Sequence, residues 1–309
     1  MERIKPKRLL PGDTVAVTAP ASWGDRDKTE AAAGYLERLG LNVILGETTR
    51  KKHGYLAGTD AERADELNRL FADESVKAIV CARGGYGTGR IAPMLDYAAI
   101  RANPKIFWGY SDITFLHSAI GRYAGLVTFH GPMLIDLGRE DLHPATLEGF
   151  RMMLEPVVPA YGEELSPLQV LVEGEAEGEL TGGNVSLLTS TLGTPYEIDT
   201  RGKILFLEDI DEEPYRLDRM FNQLKQAGKF DDAAGIAICD FHNCEPNKRK
   251  ESLTLEQVIG DHILTSGKPT LAGFRIGHCS PNAAVPVGIR ARLSTRKKLL
   301  EGLEPGVQA

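Results

Sequence analysis

A chain of 309 residues is long for one compact core, so two domains are expected. Its 42% hydrophobic and 26% charged residues describe an ordinary globular protein, while a net charge of -7 and a pI near 5.6 exclude a general nucleic-acid binder. No stretch approaches the roughly 18 apolar residues of a membrane span. Met1 to Arg8 is charged, and the apolar run after Gly12 is too short for a signal-peptide core, so a cytoplasmic protein is expected. The basic clusters Arg50-Lys51-Lys52-His53, Lys248-Arg249-Lys250 and Arg296-Lys297-Lys298 read as solvated loops and ends.

The first half alternates strand and helix. Thr14 to Pro20 reads as a strand, Asp27 to Leu39 as a helix closed by Gly40, and Leu41 to Leu45 as a second strand. Ala64, Leu67 and Leu70 mark a helix over about 60–71, followed by strands at Ala78–Ala82 and Ile106–Trp108. This alternation predicts an α/β domain with a parallel sheet, whose ligands gather at the carboxyl ends of the strands. A strand and turn at Val127–Met133 and a helix from Pro144 to about Leu154 complete it.

Two loops of that half carry chemistry. Arg83-Gly-Gly-Tyr-Gly-Thr-Gly89 follows its strand directly but matches neither the dinucleotide fingerprint nor the P-loop, because Arg90 and Ile91 stand where those motifs need other residues. It is either a turn rich in positive φ or a flexible backbone whose N–H groups hold an anion or oxyanion. Ser111, in Gly109-Tyr-Ser-Asp-Ile113, falls at a strand-to-helix corner, where it reads as an N-cap or as a nucleophile. Ile113 occupies the position of the second glycine of a G-x-S-x-G elbow.

A segment rich in Pro, Gly and acid, 156–167, is the expected linker between a domain at 1–155 and one at 168–309. The second domain reads as more β-like, with short strands at Leu168–Val172 and Gly174–Leu180 and a turn at Gly182-Gly-Asn184 leading to a helix at Val185–Leu192. Lys203–Leu207 is a buried strand running into the acids Glu208 to Glu213, and Pro214 opens an amphipathic helix bearing Leu217, Phe221 and Leu224 on one face. Further strands fall at Gly235–Cys239, Thr270–Phe274, Ala284–Ile289 and Arg290–Leu293, with a helix near 255–264.

Four cysteines in a chain this large are expected to be reduced thiols. Cys239, His242, Cys244 and the pair His278-Cys279 have a spacing that zinc permits, although Cys239 ends an apolar strand and suits a buried thiol. A serine nucleophile needs a base, and the base an orienting acid. Of seven histidines, His53 and His143 lie in polar loops, His117 faces away from Ser111, and His262 sits on a surface helix. His130, His242 and His278 remain open as bases, and Glu208 is an acid placed where its strand leaves the core.

The ordered set Arg83-Gly-Gly-Tyr-Gly, Gly109-Tyr-Ser-Asp-Ile-Thr114, Thr128-Phe-His-Gly-Pro132, Gly182-Gly-Asn184, Leu207-Glu-Asp209 with Pro214-Tyr-Arg216, and Gly277-His278 resembles the LD-carboxypeptidase family of serine peptidases. That family also contains the microcin C self-immunity proteins. The resemblance implies a triad of Ser111, Glu208 and His278, with the nucleophile in one domain and the acid and base in the other. It implies an N-terminal α/β domain, a β-rich, barrel-like α+β C-terminal domain, and a homodimer. The activity implied is release of D-alanine from murein tetrapeptides in cell-wall recycling, without metal or cofactor. Backbone N–H groups of Asp112 and of Gly84 or Gly85 would hold the oxyanion, and Arg83, Tyr86 and Asn184 would contact substrate. The short segment between Leu192 and Lys203 favours the muropeptide branch over the alternative, cleavage of aminoacyl-nucleotide amides.

Overall fold

The computed structural model describes residues 2–138, 142–247 and 251–309; the Lys248-Arg249-Lys250 cluster lies outside the described residues. The chain divides into two compact units. One takes residues up to Val157 with Ala283–Gly288 and Pro305–Ala309; the other takes Val158–Asn282 with Ile289–Glu304.

The first unit starts with β1 (Thr14–Thr18), β2 (Asn42–Leu45), β3 (Val76–Cys81), β4 (Ile106–Gly109) and β5 (Thr128–His130). The second supplies β6 (Ala160–Tyr161), β7 (Gln169–Val172), β8 (Glu175–Asn184), β9 (Ile204–Ile210), β10 (Gly235–His242) and β11 (Thr270–Ala272). The chain then returns to the first unit as β12 (Val285–Val287) and to the second as β13 (Arg290–Ser294) and β14 (Leu299–Gly302).

The first sheet has the order β12-β5-β4-β3-β1-β2, parallel except for β12, which runs antiparallel to β5. Val15 to Val17, Ala78 to Cys81 and Ile106 to Trp108 are wholly buried, as unbroken apolar strands must be when helices cover both faces of a parallel sheet. The Asp60–Ala72 helix lays Ala64, Leu67 and Phe71 inward from a capping box of Thr59 and Glu62. Trp108 stacks on Phe129 and Phe150, with ring centroids 5.6 and 4.9 Å away. Each such buried ring contributes roughly 1.5–3 kcal/mol.

The second unit is built on an eight-stranded mixed sheet in the order β6-β14-β13-β8-β9-β10-β11-β7. Strands β8 to β11 are parallel, and the flanking strands are antiparallel. The Pro214–Gln226 helix buries Leu217, Phe221 and Leu224 in a core with Leu205, Leu207, Ile236, Ile238, Val258 and Ile259.

Several sequence expectations need correction. The sheet is open, with β6 and β7 as its edges, so the second unit is no barrel. Its two ends are the antiparallel strands β6 and β7, which do not pair with each other, so the strand order never closes on itself. Residues 283–288 do not belong with the rest of 168–309, because β12 pairs with β5 of the first unit. Gly182-Gly-Asn184 is strand rather than turn, and a Cβ at Gly182 would lie 1.9 Å from the Phe206 carbonyl oxygen, an approach only glycine allows. The helix expected from Pro144 to Leu154 is two short ones, Pro144–Glu148 and Arg151–Leu154. Among the described residues no helix is long and apolar enough to cross a membrane.

Candidate active site

Ser111 stands at a strained corner of the first unit. Strand β4 ends at Gly109, Tyr110 is extended, and Ser111 turns to φ 63 before the Thr114–Tyr123 helix. A left-handed φ in a residue with a side chain costs about 1–2 kcal/mol. Strain of this kind collects at functional positions. The N-cap reading does not fit, because a capping serine is extended and this turn carries no side-chain cap. Gly109, the first glycine of the G-x-S-x-G pattern, is required by close packing: a Cβ there would sit 3.0 Å from both Cys81 Cβ and Ile113 Cγ1.

The glycine-rich loop lies directly against this corner. A Cβ on Gly84 would be 3.0 Å from Ser111 Cβ, 3.2 Å from its Oγ and 3.3 Å from the Asp112 amide nitrogen. Gly85 and Gly87 have φ of 109 and 130, conformations that favour glycine. Hydrogen bonds with Ser22, Arg63 and Asp112 fix the loop. Ser22 donates its N–H to Gly84 O at 3.3 Å, and Tyr86 N–H donates to Ser22 Oγ at 3.2 Å. The buried Arg63 guanidinium donates to Gly87 O at 2.9 Å and to Pro20 O at 2.6 Å. Thr88 N–H donates to Asp112 Oδ2 at 2.9 Å and its hydroxyl to Asp112 O at 2.6 Å. Burial pushes the Asp112 carboxyl above its ordinary range, and the Thr88 and Gly87 donors offset this.

Arg83 donates to Trp23 O at 3.0 Å and lines a cavity of about 440 Å³ with Ser22, Trp23, Gly54 and Tyr55. The Tyr86 ring is half exposed, with its centroid 5.8 Å from that of Tyr55. Within the loop that touches Ser111, Tyr86 is exposed and Arg83 partly buried.

In the second unit β9 runs on through the acids, so Glu208 sits inside the strand and is fully buried. Its Oε2 lies 2.8 Å from His278 Nδ1, in a pair joined across 70 residues of sequence. Gly277 makes that approach possible: its φ is 117, and a Cβ there would be 2.6 Å from Glu208 Oε2 and 2.9 Å from Glu208 Cβ. The Gly277 amide donates to Asn282 Oδ1 at 3.0 Å, tying down the loop. Burial drives the Glu208 carboxyl upward, while the hydrogen bond to His278 and the nearby Asn184 carboxamide pull it back.

Asn184 departs from the expectation of a substrate contact. It is buried, donates to Asp209 Oδ1 at 2.9 Å and caps the Val185–Thr191 helix by accepting from Leu187 N–H at 3.3 Å, so both ends of its carboxamide are used internally. The role of Asp209 was hidden in the sequence, where it is one acid in a run of them.

The other histidines serve elsewhere. His117 is buried with Nε2 2.8 Å from Gly109 O, and burial lowers its pKa to about 4. His130 is buried in β5, and His262 bonds Asp218 at 2.7 Å. His242 is half exposed, its Nδ1 3.8 Å from Asp240. The zinc arrangement is not formed. Among the described residues no group of His, Cys, Asp or Glu could hold a metal, and the Cys239 and Cys244 thiols donate to the Ala237 and His242 carbonyls. Burial pushes the Cys244 and Cys279 thiols up to about 12.

The first unit thus holds a strained serine against a glycine-rich loop, and the second a buried acid–histidine pair, residue types that serine hydrolases use. Residues 15–131 match the model of the LD-carboxypeptidase N-terminal domain, and residues 177–293 match that of the LD-carboxypeptidase C-terminal domain. The chain belongs to the LD-carboxypeptidase family. It is 60% identical over 295 residues to a probable murein peptide carboxypeptidase of Bacillus subtilis (strain 168), covering 95% of this chain and 92% of that one. A solved muramoyltetrapeptide carboxypeptidase from Oxalobacter formigenes has a TM-score of 0.81 at 30% identity, over 93% of this chain and 97% of the other. The structure of MccF in complex with glutamyl sulfamoyl guanosine has a TM-score of 0.88 at 27% identity, over 98% and 99%.

Proposed function

We propose that this chain is a serine carboxypeptidase that cleaves the L,D peptide bond releasing terminal D-alanine from murein tetrapeptides, with Ser111 as nucleophile, His278 as base and Glu208 as orienting acid. The observation that supports it most is the 2.8 Å Glu208–His278 hydrogen bond in a chain 60% identical to a probable murein peptide carboxypeptidase. With Nδ1 on Glu208, the imidazole has Nε2 for proton transfer. His278 takes the Ser111 proton as Oγ attacks the carbonyl carbon on the L side of the bond. The resulting oxyanion accepts from the N–H groups of Asp112 and of Gly84 or Gly85. Collapse breaks the C–N bond, and His278 passes the proton to the departing D-alanine amine. Water, deprotonated by His278, then releases the acyl group and restores Ser111. Glu208 holds the tautomer and offsets the charge of the imidazolium.

Arg83 is the proposed clamp for the carboxylate of the terminal D-residue, with Tyr86 beside it. The same reading places the protein in the cytoplasm, as a homodimer working in cell-wall recycling. A second reading, cleavage of aminoacyl-nucleotide amides, draws support from the TM-score of 0.88 to MccF. Values of kcat/KM measured side by side on a murein tetrapeptide and an acyl-sulfamoyl adenylate separate the two. The first reading expects the tetrapeptide to be the better substrate; preference for the adenylate overturns it.

A further inference from the structure

One buried carboxylate of the second unit has no part in the steps above. Asp209 follows Glu208 in β9 and is 2% exposed. Its Oδ1 accepts from Asn184 Nδ2 at 2.9 Å and from Ile210 N–H at 2.8 Å; its Oδ2 accepts from Ser186 N–H at 2.9 Å and Ser186 Oγ at 2.8 Å. Burial raises the pKa of this carboxyl, and the donors on both oxygens work against that rise in favour of the charged form.

Capping the Val185–Thr191 helix does not require this charge, because Asn184 already caps it. What Asp209 does fix is Asn184, which pairs with Glu208 in the β8–β9 register and whose carboxamide favours the charged form of Glu208. A second buried anion next to the first is costly, and that cost needs a return elsewhere.

We propose that Asp209 is a positioning residue for the Glu208–His278 pair: it locks the Asn184 carboxamide against Glu208 and keeps a fixed negative charge beside the pair, stabilising the imidazolium formed during turnover. The inference rests on the proposed function. Other titratable and charged groups acting on this cluster are Cys239, Asp240 and His242 from β10, Arg275 and Cys279 from the loop of His278, and Glu212 and Cys244 near Asp209. Asp209 differs from them in hydrogen-bonding the side chain of Asn184, the residue opposite Glu208 in the β8–β9 register.

The test is Asp209→Asn in the full chain, with tetrapeptide kinetics across pH and an NMR titration of the His278 imidazole. We expect kcat to fall about 10- to 100-fold with KM little changed, the cost of slight misplacement of a catalytic group. The acid limb and the imidazole titration should both move to lower pH, because removing a neighbouring negative charge lowers every pKa of a coupled pair. Asp209→Glu, which keeps the charge, should return the limb toward its wild-type position. A folded Asp209→Asn protein with wild-type kcat and an unmoved limb overturns the proposal. Should that variant fail to fold, Asn184→Ala decides: the proposal expects lower kcat at unchanged KM, and a wild-type kcat overturns it. The imidazole titration needs no turnover. Failure of the wild type to release D-alanine would therefore count against the proposed function, and an unmoved titration against Asp209 alone.

Discussion

Replacing Gly277 by alanine is the most direct steric probe of the acid–base pair. The new Cβ would lie 2.6 Å from Glu208 Oε2, about 0.8 Å inside the 3.4 Å at which such contacts become ordinary, and 2.9 Å from Glu208 Cβ. Glu208 is fully buried within β9, so it cannot swing into solvent to make room. The methyl also imposes φ 117 on a residue with a side chain. Overpacking of this kind costs about 1–3 kcal/mol, and the backbone strain adds roughly the same again. The variant should thus be some 2–6 kcal/mol less stable by urea denaturation. Displacing Glu208 by a fraction of an ångström also turns the imidazole it orients. A fall in kcat of about 100-fold is expected, with KM much less affected. Gly277→Ala with native stability and native kcat would refute the reasoning, since the Glu208–His278 contact would then not depend on the bare backbone at 277.

Gly84→Ala brings a methyl to 3.0 Å from Ser111 Cβ and 3.2 Å from its Oγ and should lower kcat about 100-fold, as checked by single-turnover kinetics. Arg83→Met should raise KM about 10- to 100-fold for a peptide with a free terminal carboxylate and leave it unchanged for the corresponding amide. His117 has a pKa lowered from 6.5 to about 4 by burial, so the folded ring refuses a proton that the unfolded chain accepts. That group costs nothing above pH 6.5, and its contribution is lost progressively as pH falls from 6.5 to 4, reaching about 3 kcal/mol. His117→Gln should flatten this part of the stability-versus-pH curve by denaturant titration; an unchanged slope would show that the ring is not the titrating group.

The first half of the chain was legible because parallel strands buried on both faces are written as plain apolar runs, such as Ile106-Phe-Trp, ended by glycine. The second half was harder. Strand β8 continues through Gly182 and Gly183, whose composition signals a turn; at Gly182 the neighbouring strand comes too close for any side chain. Edge strand β6 is two residues long and takes its identity from its neighbour β14, a long-range pairing that no local pattern carries. The loops around Ser111 could be located from strand ends. The hydrogen bonds that hold them, from Arg63 to Gly87 and from Thr88 to Asp112, join residues 24 apart and left no trace in spacing. Glu208 reads from sequence as an acid at a strand end; its place inside β9, and the Asn184–Asp209 hydrogen bond beside it, depend on β8 lying alongside.

Release of D-alanine from a defined murein tetrapeptide by the wild type and by Ser111→Ala tests the central claim most directly. The account predicts turnover by the wild type and a loss of at least about 1,000-fold on removing the hydroxyl, because the acyl-enzyme can no longer form. Undiminished release by Ser111→Ala would contradict it.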